Sequence, residues 1–285
     1  KADFPLLLPY DLAKKIKKND LSDPILRQFV PLIDENIQKN DYIQDPLCEI
    51  NFKKSKLLKK YKNRALLICT NSCAMHCRYC FRKYFEKQED KKFDNEIELI
   101  KKDKTINELI LSGGDPLSLT NSDLENLFQK LDKISHLKIL RFHTRYIIGY
   151  PNRIDQNFLK ILKNVKKQIV FIFHINHPKE IDSRVIKAIQ KLKKQNYLLF
   201  NQAVLLKGIN DDFETLQLLS QKLISIGIVP YYLYHLDKVK GSTHFEVSKK
   251  AGKDLIKKLN ENLSGYLVPK YVQEIPNQKN KSLIL

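Results

Sequence analysis

Six short runs rich in apolar, β-branched and aromatic residues punctuate the chain from residue 64 onward. They are RALLICT at 64–70, ELILSGG at 108–114, LKILRFHT at 137–144, QIVFIFHIN at 168–176, YLLFNQAVLL at 197–206 and VPYYLYHLD at 229–237. Near-continuous apolar runs of this length predict strands covered on both faces. Between them apolar positions recur at helical spacing. Leu124, Leu127, Phe128 and Leu131 share one face, as do Val185, Ile189 and Leu192, and Leu216, Leu219, Leu223 and Ile226. Strands alternating with amphipathic helices predict an α/β fold with a parallel sheet under helices. Polar signatures (SGGD, HTR, HINH, NQ and LD) fall at the C-terminal ends of the strands. Barrel enzymes place their sites on such a ring, whereas open sheets concentrate theirs at one switch point. The pattern therefore predicts a partial (β/α)6 TIM-like barrel over residues 61–285. Residues 1–60 lack the alternation and predict a mostly helical, partly irregular extension, with turns at residues 23–24 and 45–46.

Composition narrows the class. The chain has 285 residues, 42% of them hydrophobic, and no apolar run near twenty, which predicts a soluble globular protein without a membrane span. No secretory signal pattern is visible. The chain begins at Lys1 and its one Met is Met75, so a few leading residues are expected to precede it. The net charge of +19 raises a nucleic-acid reading, but lysines scattered over helical segments carry it, 43 of them against 8 arginines. Composition bias and solvated helix faces account for such a spread. Six of the arginines (Arg64, Arg78, Arg82, Arg141, Arg145 and Arg153) fall at strand ends or in motifs, where a rigid fork suits carboxylates and phosphates.

The chemistry concentrates in CTNSCAMHCRYCFRKYF, residues 69–85. Cys73, Cys77 and Cys80 are spaced C-x3-C-x2-C in the loop after the first strand, with Cys69 inside that strand and Cys48 remote. Clustered cysteines in a large chain without a signal peptide point to a reducing cytoplasm and a metal site rather than disulfides. Three thiolates on one loop can hold three irons of a 4Fe–4S cluster and leave the fourth open. The rival is structural zinc, completed by His76 or Cys69, although zinc sites usually use two separated pairs. Incidental buried cysteines are the third reading. Cys69 reads as a small hydrophobe within its strand.

With Tyr79 before the last cysteine, CAMHCRYCFR resembles the cluster loop of radical S-adenosylmethionine (SAM) enzymes. The resemblance runs from about Phe4 to the C-terminus. KYKNRALLICTNSCAMHCRYCFRKYF, LSGGDPL, HINHPKEI, NQAVLLKGIND, PYYLYHLDKV, HF and SGYLVPKYVQEI are similar to lysine 2,3-aminomutases. They are most similar to the short branch that makes (R)-β-lysine for modifying elongation factor P, which lacks a long C-terminal extension. The resemblance implies three cofactors: a 4Fe–4S cluster on Cys73, Cys77 and Cys80, SAM, and pyridoxal 5′-phosphate. It assigns the pyridoxal phosphate group to Arg64, with Lys60 and Tyr61 beside it. It assigns SAM contacts to Gly113, Gly114 and Asp115, with His174 and Gln202 at strand ends facing the same ligand. A C-terminal lysine would hold the pyridoxal; Lys281 keeps a spacing of seven from the acidic Glu274, and Lys279 is the alternative. Arg82 would take the substrate α-carboxylate, and Asp237 with Glu274 its ε-ammonium.

The implied activity is conversion of L-lysine to (R)-β-lysine in the cytoplasm. An electron donor such as flavodoxin or ferredoxin and a separate ligase acting on elongation factor P are the implied partners, with no membrane and no nucleic acid. An aminomutase for glutamate or arginine is the alternative enzyme. A basic iron–sulfur or zinc nucleic-acid-binding module is the alternative from another class, which salt-dependent RNA binding would reveal.

Overall fold

The computed structural model describes residues 4–85, 92–276, 278 and 280–285. A hairpin of β1 (Lys53–Lys54) and β2 (Leu57–Leu58), turning through Ser55 at positive φ, leads antiparallel into β3 (Arg64–Thr70). All six predicted strands form and pair in chain order. β3 is followed by β4 (Glu108–Gly113), β5 (Ile139–Thr144), β6 (Gln168–His174), β7 (Leu198–Val204) and β8 (Val229–Tyr234), each parallel to the last. A seventh parallel strand, β9 (Lys270–Gln273), joins β8, and β10 (Ser282–Leu283) pairs antiparallel with β9. The described strands form one ten-stranded sheet with no hydrogen-bonded closure between β1 and β10. The parallel-dominated sheet and its helices are thus the expected partial barrel.

In the first part of the chain, α1 (Tyr10–Ala13) and α2 (Pro24–Phe29) are short. Six crossover helices follow the parallel strands: α3 (Asp94–Lys102), α4 (Asn121–Asp132), α5 (Gln156–Lys163), α6 (Ser183–Lys193), α7 (Phe213–Ser225) and α8 (Lys249–Asn262). From α4 onward each starts on a side-chain cap: Thr120, Asp155, Asp182, Asp212 and Ser248 accept from backbone amides of the first turn. Each such cap contributes about 1 kcal/mol, which explains where these helices begin. Among the described residues no helix is long and apolar enough to cross a membrane.

The expectation of a mostly helical stretch over residues 1–60 is corrected. Described residues 4–60 hold two short helices, short 3₁₀ turns, the hairpin and much irregular chain. Pro5, Pro9, Pro24, Pro31 and Pro46 divide the stretch, because proline cannot donate within a helix and restricts the residue before it. Asp23–Pro24 opens a helix instead of making a turn. Asp23 accepts from the Ile25 and Leu26 amides at 2.9 and 3.1 Å, with proline at the first helical position.

Each strand carries two different rows of side chains. Leu67, Leu109, Leu111, Leu140, Phe142, Phe171 and Phe173 pack into the helix-covered core. The alternate row, including Leu66, Ile110, Ser112, His143, His174, Gln202 and Tyr234, faces a cavity. A register shift helps set that row: Pro230 pairs with Asn201, and the next pairing is Tyr232 with Gln202, leaving Tyr231 as the extra residue. Bulges re-aim side chains in this way and tolerate proline.

Candidate active site

The described residues that the resemblance assigns to cofactors and substrate all line one cavity, from Lys60 and Tyr61 through the three cysteines to Lys281. The alternative Lys279 lies outside the described residues.

The cysteine loop forms one end. Cys73, Cys77 and Cys80 line the cavity, whereas Cys69 is buried in the helix-side core with its thiol toward the Leu67 carbonyl. His76 is also turned aside: its ring stacks on Phe4 at 4.4 Å and Nδ1 lies 2.8 Å from the Pro5 carbonyl. Neither proposed fourth zinc ligand faces the other three. Among the described residues no three His, Cys, Asp or Glu side chains converge as ligands for a single ion. Burial, with the other thiols nearby, pushes the Cys80 thiol up to about 11, and burial with Asp115 raises Cys73 further. Three thiols on one loop without a fourth partner among the described residues fit a larger centre, whose positive charge would offset the cost of ionising Cys73 and Cys80.

The amino-terminal stretch clamps this loop. Arg78, fully buried, pairs through both Nε and Nη2 with Glu35 and donates from Nη1 to the Phe4 carbonyl at 2.9 Å. Its amide donates to the Gln28 carbonyl at 2.9 Å. Tyr79 points the other way, its hydroxyl 2.9 Å from His174 Nε2 and accepting from Asn176 Nδ2 at 2.7 Å. His174, which the sequence assigns to SAM, therefore already has a protein partner on one nitrogen. Burial, reinforced by Arg145, holds its imidazole well below its usual range. Gln202 lines the cavity with no side-chain hydrogen bond among the described residues.

Gly113 and Gly114 permit a close approach, but to the chain itself. Gly114 donates to the Thr70 carbonyl at 2.6 Å, and Asp115 N to the Ser72 carbonyl at 2.8 Å. A Cβ on Gly114 would lie 2.3 Å from Ser72 O, and Gly113 sits at φ +108°, where a side chain is strained. The glycines thus dock the β4 end against the entry to the cysteine loop. Asp115 does the same for β5. Its carboxylate accepts from Leu117 N at 3.0 Å, Thr144 Oγ1 at 2.7 and 2.9 Å, and Arg145 N at 2.7 Å. Burial nevertheless raises its pKa to about 6, against the pull of those donors.

At the opposite end Glu274, just past β9, gathers cations. Lys281 Nζ lies 2.7 Å from Oε2, while Lys60 Nζ and the Tyr61 hydroxyl donate to Oε1 at 3.0 and 2.8 Å. Burial opposes ionisation of Glu274, but Lys281, Lys60 and Tyr61 outweigh it and hold the carboxyl at about 2. Lys60 and Tyr61 precede β3, and Glu274 follows β9, so this cluster ties one side of the open sheet to the other. Arg64 stacks on Tyr61 at 3.9 Å and has no carboxylate partner among the described residues. Asp237, beyond β8, also lacks a cation within ion-pair distance among them. Removal from water, then the charges of Glu274 and Glu49, raise its pKa to about 7 despite Lys281 and Lys60.

Sequence reasoning missed Glu49. It meets Arg82 through both oxygens, Nε–Oε2 at 2.7 Å and Nη2–Oε1 at 2.6 Å, while Nη1 donates to Ser112 Oγ at 3.2 Å. Burial disfavours the charged guanidinium, but Glu49 more than restores it. It missed His143 too. Its Nε2 is buried on the cavity wall without a partner among the described residues, and burial together with Arg141 and Lys281 holds the imidazole well below its usual range. The HTR signature flagged that strand end, but nothing in the surrounding sequence flagged Glu49.

Comparison with known proteins gives the family. Residues 67–219 match the radical SAM superfamily. Proteins named L-lysine 2,3-aminomutase align over almost the whole chain. One from Buchnera aphidicola is 42% identical over 99% of this chain and 84% of its own length. Another from Haemophilus influenzae is 41% identical over 98% and 84%, and one from Escherichia coli 38% over 98% and 83%. The chain belongs to the lysine 2,3-aminomutase family. As a radical SAM lysine 2,3-aminomutase-family enzyme it uses a 4Fe–4S cluster and SAM, and the three-thiol end of the cavity fits the cluster.

Proposed function

We propose that this enzyme converts L-lysine to (R)-β-lysine with pyridoxal 5′-phosphate as a third cofactor. One observation carries the reading: three cysteines and the Lys281–Glu274–Lys60 cluster, far apart in sequence, open into the same cavity. When bound, the cluster with SAM supplies a radical able to remove hydrogen from an unactivated carbon, and pyridoxal phosphate supplies the carbonyl that carries the migrating nitrogen.

The residues then divide the work. Cys73, Cys77 and Cys80 hold the cluster. Lys281 is the amine for the pyridoxal carbonyl, Glu274 holds that amine in place, and Arg64, without a carboxylate partner among the described residues, is the guanidinium for the phosphate, with Lys60 and Tyr61 beside it. Gly113, Gly114 and Asp115 shape the floor beneath SAM, and His174 and Gln202 face it from β6 and β7. Arg82 has five N–H donors and spends three on Glu49 and Ser112. The remaining two bind the substrate α-carboxylate while Glu49 fixes the guanidinium plane. Asp237, with the field of Glu274 and Glu49, receives the ε-ammonium. Asp237, a cavity carboxylate without a cationic partner among the described residues, favours a cationic side chain over glutamate.

The physiological assignment follows from similarity to the short branch. The product is attached to elongation factor P by a separate ligase, in the cytoplasm, with a flavodoxin or ferredoxin as electron donor. Anaerobic incubation with SAM, pyridoxal phosphate, dithionite and L-lysine should release (R)-β-lysine. Turnover of glutamate or arginine with no turnover of lysine would sink the substrate assignment. Elongation factor P from a strain lacking this protein should lose the β-lysyl mass and regain it on feeding β-lysine.

A further inference from the structure

Arg145, at the C-terminal end of β5, is buried, and its guanidinium is shared between a thiol and a carboxylate. Nη1 donates to Cys77 Sγ at 3.1 Å and also to the Tyr79 hydroxyl. Nη2 donates to Gln28 Oε1 at 2.6 Å and to Glu180 Oε2 at 3.0 Å. The Phe29 ring lies 4.6 Å from the guanidinium carbon. Glu180 is itself fully buried and fixed from three sides, by Gln28 Nε2 at 3.0 Å, Asn176 N at 3.2 Å and His177 N at 3.1 Å. Asn176 and Tyr79 close the network through Gln28 Oε1. The arginine therefore cannot swing away: it is an oriented ion pair with its positive end on Cys77 and its negative end behind.

We propose that Arg145 sets the reduction potential of the iron–sulfur cluster by stabilising its reduced form through Cys77, with Glu180 moderating that effect. The inference rests on the reading of Cys77 as a cluster ligand. Reduction adds one electron to the cluster; no bond forms or breaks, and Arg145 stays protonated. The added negative charge spreads onto the thiolate sulfurs, so a hydrogen-bond donor and a nearby cation favour the reduced state. Screening is weak, because Arg145 and Glu180 side chains are only 7% and 0% exposed. Arg145 is thus a positioning residue that acts through the ligand.

The test uses the reconstituted enzyme without SAM or lysine, titrated with dithionite and followed by the paramagnetic resonance signal of the reduced cluster. Arg145→Met removes donor and charge, and should lower the reduced-to-oxidised ratio at fixed poise about tenfold, which is about 59 mV for a one-electron couple. Glu180→Gln keeps shape and removes the opposing charge, and should raise the ratio about threefold. Arg145→Lys should fall between Arg145→Met and the parent. General loosening of the loop would move Arg145→Met and Glu180→Gln the same way, so opposite signs support the proposal. Both variants within about twofold of the parent, or both displaced in one direction, overturn it. Should Arg145→Met fail to hold iron, Glu180→Gln decides: an unmoved or lowered ratio overturns the proposal. Iron retained in full by Cys77→Ala would overturn the ligand reading itself, whereas a normal cluster with unmoved potentials overturns only the role of Arg145.

Discussion

At the cysteine end of the cavity one short stretch, residues 73–80, supplies every candidate ligand, and buried polar side chains hold it from behind. At the other end Glu274 collects Lys60 and Tyr61 across 214 and 213 residues, and Lys281 across 7. The first end is local in sequence and backed by a buried hydrogen-bond network around Arg145 and Gln28, which resists rearrangement. The second is assembled by tertiary structure from charges whose side chains remain 12–20% exposed. Pairing of that kind tolerates exchange of one partner for another. A rigid end suits the proposed cluster with its open iron, and an exchangeable end suits the proposed pyridoxal role of Lys281.

The largest effect should come from breaking the local end. Cys73→Ala, Cys77→Ala or Cys80→Ala should each lower SAM cleavage beyond about 10³-fold, with iron lost in parallel, a small part of the ~10⁶-fold or greater acceleration that enzymes supply. Cys69→Ala should retain iron and cost only about 1 kcal/mol in a denaturation curve. Iron loss from Cys69→Ala would erase the contrast between cavity and core cysteines.

Next comes the distant end. After borohydride reduction, peptide mass should locate the pyridoxal on Lys281, and Lys281→Ala should abolish both label and turnover while the cluster spectrum stays normal. Label on Lys279 would move the site by two residues. Glu274→Ala should lower stability by about 2 kcal/mol, less than the ~3–5 kcal/mol of a fully buried pair.

Substrate charge is a finer probe. Arg82→Ala and Asp237→Asn should each lower kcat/KM for lysine about 10²-fold, or ~3 kcal/mol, with both cofactor spectra intact. Asp237 also makes the distant end pH-sensitive. Its pKa of about 7 means that the carboxyl is neutral below that pH and charged above it. KM for lysine should therefore rise as pH falls below 7, by up to about tenfold per unit, and Asp237→Asn should flatten the limb. A pH-independent KM in the parent enzyme would place the ammonium elsewhere. The smallest effect is structural: Gly114→Ala should cost about 1–3 kcal/mol by driving Cβ into Ser72 O, read as a lower Tm.

The two ends also differ in how far they could be read from the sequence. All six apolar runs are strands within a few residues of their predicted bounds, because burial on both faces writes itself as local hydrophobicity. α3, α5 and α8 went unread although they are amphipathic. Their apolar stripes are short, with Ile97 and Ile100 buried in α3, Phe158, Leu159 and Leu162 in α5, and Leu255 and Leu259 in α8. β9 and β10 are four and two residues long and exist only because β8 and each other offer partners. The spacing of Cys73, Cys77 and Cys80 needed no partner to be recognised. Lys60, Glu274 and Lys281 carried no local signal and were reached through resemblance alone, whereas Arg64 and Asp237 were marked by their strand ends and given roles only by the resemblance. Gln28 lies in the six-residue α2 and Glu49 at the start of a single 3₁₀ turn, elements too short for a period or motif to mark them.

What the amino-acid sequence determined by itself is therefore whatever depends on near neighbours: the strand–helix alternation, the capped helix starts, and three cysteines on one loop. Only the tertiary structure decided which charges meet. Glu49 fixes Arg82, Glu274 bridges the open side of the sheet, Gly113 and Gly114 admit the chain's own backbone, and Arg145 faces Cys77. The physical reason is range. Hydrophobic periodicity and capping act over a few residues of chain, whereas an ion pair or a hydrogen bond is blind to sequence separation and requires only that folding bring two groups within about 3 Å.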